Sequence, residues 1–136
     1  KLSREEMFLL ISQADLQQNA ALLLLHRLRY PFGEEDRMAE ALSSSIVECM
    51  THCLDVAGKY PPNITLVLLA AGSEVHEEAK RQEIKSLVWK IHGSSFYPFI
   101  DNLLMSLSRV WKGRDQGTAR YLFSLFEDDP DFSIPL

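Results

Sequence analysis

Glycine and proline cut this chain into blocks of helical length, and nearly every block repeats its apolar residues at three- and four-residue steps. That punctuation limits the fold more than any other feature. A stripe with a period near 3.6 has to be buried against a neighbouring element, and only the block from 64 to 71 would also suit a strand. With no second strand to pair it, that block too is expected to be a short helix, with Asn63 as its cap.

The other boundaries follow from local chemistry. Ser3 and Glu6 form a capping-box pattern that opens a short first helix through Ile11. Asp15 precedes a second helix from Leu16 to Tyr30, in which Ala20 to Leu25 and Leu28 leave little of the girth polar; such a helix is expected in the middle of a bundle, with Leu24 buried. Pro31, Phe32 and Gly33 stop it, because the residue before a proline is pushed out of the helical region. The next helix covers residues 34–57, with Met38, Leu42, Ile46, Cys49 and Cys53 on one stripe and Gly58 closing it. Further helices are expected over 74–92, over 96–112 with Gly113 as cap, and over 116–127 behind Asp115. Short connections make neighbours antiparallel. The expectation is therefore an all-α fold of six or seven antiparallel helices, in a compact bundle or a short HEAT- or armadillo-like stack of helical hairpins. A weak echo between 21–30 and 102–111 is too slight to establish a repeat.

One domain suits 136 residues with 46% hydrophobic content. Residues 1–127 read as a helical interaction domain and residues 128–136 as an acidic-hydrophobic tail. The opening at Lys1, without a leader pattern, suggests a domain cut from a longer protein. A net charge of −5 speaks against a general binder of nucleic acid or anionic membrane, since the average surface would repel phosphates. The longest apolar runs, such as Ala20 to Leu25, are far short of the ~20 residues that span a bilayer. Cys49 and Cys53 stand four apart on one helix, poorly placed for a disulfide, which favours a reducing compartment, cytoplasmic or nuclear. The Asn63 to Thr65 sequon is the only hint of secretion.

No catalytic pattern occurs. Cys49, His52 and Cys53, with His26 as a fourth group, could converge on a metal, but zinc generally takes ligands from loops or knuckles, and core thiols are the plainer reading. Neither thiol has a nucleophile signature around it, and no glycine loop could cradle phosphate. No metal, cofactor or enzymatic activity is expected.

Charge offers one surface. Arg81, Lys85 and His92 project within ~40° of one another at ~100° per residue, with Trp89 beside them, and Arg109 and Lys112 follow on the next helix. Residues 61–127 hold eight basic against seven acidic side chains, whereas residues 1–60 hold six against nine, so the molecule is polarised. The tail mixes acids with Phe132, Ile134 and Leu136, and would dock on a partner or back on that flank.

The function expected is a non-enzymatic scaffold or adaptor domain of a larger intracellular protein, binding another protein or peptide through a groove between helices. Arg81, Lys85, Trp89, His92, Arg109, Lys112 and Phe132 are the expected partner-binding residues, with aromatics such as Tyr30, Phe32, Tyr60 and Trp111 as further anchors. The alternative is a helical module that recognises a phosphorylated or acidic peptide, or nucleic acid, through the basic flank. Nothing in the sequence sets the oligomeric state.

Overall fold

A computed structural model describes residues 1–90 and 97–124. All regular structure among them is helical: α1 (Arg4–Arg29), α2 (Asp36–Ala57), α3 (Thr65–Ser73), α4 (Glu78–Trp89) and α5 (Tyr97–Asp115). Among the described residues five helices thus stand, and the six or seven expected are not confirmed.

The first difference lies at Asp15, which interrupts nothing. The buried face runs through Ser12, Leu16, Ala20, Leu23 and Arg27 in one continuous period, and Asp15 sits exposed on its flank, so the two expected helices are one. Without glycine or proline, the modest helix propensity of a single aspartate cannot stop the run. Ser3 accepts from the Glu6 amide and Glu6 reaches back to the Ser3 amide, the capping box as expected. Gly58 ends α2 in the left-handed region at φ 70°, also as expected.

The second difference lies beyond Lys112. Gly113 does not cap α5 but lies inside it, where a Cβ would come within 2.8 Å of the Ala119 methyl. The helix runs on to Asp115, and Gly117 makes the turn at φ 70°. Residues 116–123 are not the expected last helix. They fold back instead, the Thr118 and Ala119 amides both donating to the Gly113 carbonyl, so that Ala119 and Leu122 are buried. Ser124 is helical, and residues 125–127 of that expected helix and the 128–136 tail lie outside the described residues.

The block from 64 to 71 is helical, although Asn63 is left-handed at φ 60° and offers no side-chain cap. Its carbonyl accepts from the Gln17 side chain instead. From Val67 to Val75 every residue is buried, and α3 touches all four other helices. A helix so enclosed is the centre of a bundle, with the α1 and α2 hairpin on one side and α4 and α5 on the other; the arrangement gives no support to a stack of hairpins. Leu16, Leu23, Ile46, Met50, Leu68, Ile84, Leu103 and Leu107 fill the core around it.

Candidate functional site

Arg27 closes the buried stripe of α1 and is fully buried. An arginine held there must place all five of its N–H groups, since each one left unpaired would cost about 1–3 kcal/mol. Nε and Nη2 each donate to Glu74, at 2.7 Å, in a fork. Nη2 also donates to Asp36 at 2.7 Å, and Nη1 to the carbonyls of Pro31 and Glu34 at 2.8 and 3.0 Å. Phe32 lies between two guanidinium groups, Arg27 at 5.1 Å and Arg114 at 4.4 Å, while Arg114 donates to the Ser73 carbonyl. One buried cation therefore ties the end of α1, the 31–35 loop, the start of α2 and the end of α3, and Arg114 brings in the end of α5.

Protonation is built into this joint. Burial pushes the Asp36 carboxyl up, but the Arg27 guanidinium and the Gly33 amide outweigh it and hold the group below its ordinary value. The Arg81 fork on Asp115 lowers that carboxyl in the same sense. A carboxylate depressed in the folded state adds stability at any pH above its unfolded value, near 4, and loses it as pH falls through the folded value. Thermal melting of the wild type should thus be level from neutral pH down to about 5 and decline steeply below 4. Asp36→Asn should start lower at neutral pH and decline less steeply, and parallel curves for the two proteins would show that Asp36 does not contribute.

The residues expected to form the basic flank are differently employed. Arg81 is buried, its guanidinium forked on Asp115 at 2.8 Å and stacked 5.4 Å from the Trp111 ring. Lys85 is half-buried, its ammonium 5.8 Å from that same ring. Trp111 itself is buried and donates to the Gly72 carbonyl. Trp89 and Lys112 are exposed and Arg109 is half-buried on α5, while His92 and Phe132 lie outside the described residues. Of the further aromatics, Tyr60 is half-buried, with its hydroxyl donating to the Leu87 carbonyl, and Phe32 is enclosed as above.

The Cys49 thiol is pushed up to about 11, by burial first and by neighbouring Cys53 second, so it is protonated at neutral pH. Cys53 is buried, whereas His52 points outward with its ring 5.3 Å from Phe8. The two thiols are core residues rather than one side of an open site.

Two surfaces remain. A cleft of about 520 Å³ runs between α2 and the start of α4, lined by Val47 and Ile84, by Glu40, Glu48, Glu77 and Glu83, and by Arg37, His76 and Lys80. The second is the outer face of α1. Met7, Leu10, Ile11, Ala14, Gln18, Ala21, Leu22, Leu25 and Leu28 are all exposed, and they fall within roughly 60° of one line along the helix. Ile11 is 67% exposed, Leu25 63% and Leu28 62%. This corrects the placement of the Leu-rich helix in mid-bundle: only one side of it is covered, and Leu24 is half-buried at the edge of the core. Composition showed an apolar girth but could not show that α2 and α3 would cover just one face of it.

No helix among the described residues is long and apolar enough to cross a membrane. Residues 3–131 match the family model described as "Fungal specific transcription factor domain". No curated protein and no solved structure matches the chain.

Proposed function

Since this chain belongs to the fungal-specific transcription factor domain family, we propose that it is the protein-binding part of a transcription factor and engages its partner through the outer face of α1. Membership makes the domain a regulatory one in a family that is in general non-enzymatic, and it implies a nuclear protein. The finer reading, a scaffold or adaptor that holds another polypeptide, is supported by the α1 face. Six large apolar side chains there are about half to two-thirds exposed over roughly 30 Å of helix, with no charge among them. Their exposed surface is on the order of 600 Å², at the top of the ~300–600 Å² of the largest apolar patch on an ordinary monomer. Residues 1–127 act as the interaction domain, with 128–136 as a separate tail.

The cleft between α2 and α4 fits this role less well, because its lining mixes carboxylates with Arg37 and Lys80, charged groups that anything filling it would have to desolvate. A basic-flank reading keeps Lys85, Trp89, Arg109 and Lys112 as contacts to an acidic peptide or nucleic acid; Lys85 over Trp111 favours it. Arg81, already forked on Asp115, would contribute little.

The test is a reporter assay with the chain fused to an unrelated DNA-binding domain. Leu22→Glu/Leu25→Glu should abolish the effect on transcription, whereas Lys85→Glu/Lys112→Glu should leave it unchanged. The reverse pattern would move the interface to the basic flank and overturn this reading.

A further inference from the structure

The α1 face has a pattern beyond its exposure. About the midpoint between Gln17 and Gln18, six of its eight apolar residues read alike in both directions: Met7 mirrors Leu28, Leu10 mirrors Leu25 and Ala14 mirrors Ala21, while Ile11 and Leu22 fall opposite half-buried Leu24 and Gln13. Large side chains stand at both ends and small ones near the middle. An antiparallel isologous contact sets each level of one helix against its mirror level on the other, so a surface that nearly repeats about its own midpoint meets itself like against like. Small residues beside the axis let two backbones approach, and the larger residues on either side then interdigitate.

Charge favours the same occupant. An isologous pairing brings each charged group near its own copy or its mirror position, so a face carrying charges of one sign opposes itself. Between Met7 and Leu28 the centre of this face has none; exposed Asp15 lies on its flank, and Arg4 and Arg29 lie beyond its two ends. The area is of the right order as well, since about 600 Å² per protomer from the six large residues compares with the ~800 Å² per partner of a standard stable interface.

We infer that the occupant of the α1 face is a second copy of this chain, packed antiparallel so that Leu10 of each protomer meets Leu25 of the other and Ala14 meets Ala21. The inference rests on the reading that the α1 face is the interaction surface, and it names the partner.

Sedimentation velocity of the full 136-residue chain, from low to high micromolar concentration, tests it. The wild type should sediment at twice the chain mass. Leu25→Glu and Leu10→Glu should each sediment at the single mass with unchanged helical circular dichroism, while Met105→Glu, an equally exposed site on α5, should remain paired. Cysteine cross-linking then reads the direction. Mixed Ala14→Cys and Ala21→Cys protomers should join, and Ala14→Cys alone should not; preferential joining of Ala14→Cys to itself would overturn the antiparallel arrangement. A wild type at single mass throughout would overturn the inference. If the α1 double variant still abolished the reporter effect in that case, the surface would stand with a different polypeptide on it. If neither assay responded to the α1 variants, both readings would fall.

Discussion

Arg27→Met is expected to remove about 3–5 kcal/mol of folding stability, the usual consequence of taking one partner from a buried ion pair. A domain of this size has about 5–15 kcal/mol in total, so the variant should be largely unfolded in mild denaturant. The magnitude comes from what stays behind. Glu74 is buried, and its two oxygens would lose both donors of the fork at once, while the Pro31 and Glu34 carbonyls would lose Nη1. Arg27→Met/Glu74→Met should therefore recover part of the loss, since it removes the unpaired Glu74 charge while the Pro31 and Glu34 carbonyls stay without Nη1. Guanidinium denaturation followed by circular dichroism measures both. A single variant that lost under about 1 kcal/mol would mean that water reaches the carboxylate and that the joint is not dry.

Trp111→Ala should be nearly as damaging. Truncating a buried tryptophan costs about 3–5 kcal/mol, and three groups depend on this ring: the Gly72 carbonyl, which takes its N–H, and the side chains of Arg81 and Lys85, which lie over its face. α3 and α5 meet closely beside it, for a Cβ on Gly72 would lie 2.7 Å from a Leu107 methyl. Trp111→Phe separates the contributions. It keeps most of the ring's area but leaves the Gly72 carbonyl unpaired, so the expected loss is about 1–3 kcal/mol. Equal losses in the two variants, measured in the same denaturation experiment, would place the energy in the hydrogen bond and not in packing.

The sequence disclosed elements wherever a local rule decides them. The capping box at Ser3, the left-handed Gly58 and the helical period of α2 depend on residues within a few positions of one another. The fused α1 was misjudged because Asp15 resembled a start signal, and such a signal stops nothing unless a breaker precedes it. Gly113 misled in a different way: glycine serves both for a cap and for close packing, and only Ala119, brought back by the turn at Gly117, shows which applies here. Ion pairs were the least legible. Arg27 finds Glu74 47 residues away and Arg81 finds Asp115 34 away, and no local pattern encodes a pairing at that range. One signal was present for Arg27, which follows Leu16, Ala20 and Leu23 at steps of four, three and four, so that the buried stripe runs into a charge. For Arg81, treated as part of an exposed flank, the missing information was that Trp111 and Asp115 would arrive together from α5.

The placement of α3 also bears on how the chain is made and opened. Its nine residues, Thr65 to Ser73, leave the ribosome after both helices of the α1 and α2 hairpin but before α4 and α5, so during synthesis one side of this apolar segment has nothing against it. The nascent chain is at its most aggregation-prone in that interval, which ends only when α5 has been made. The same enclosure acts in reverse on the finished molecule. The α3 amides can reach water only if the helices on both sides separate, so their hydrogen exchange proceeds through opening of the whole bundle, while the exposed first turn of α1 exchanges by local fraying.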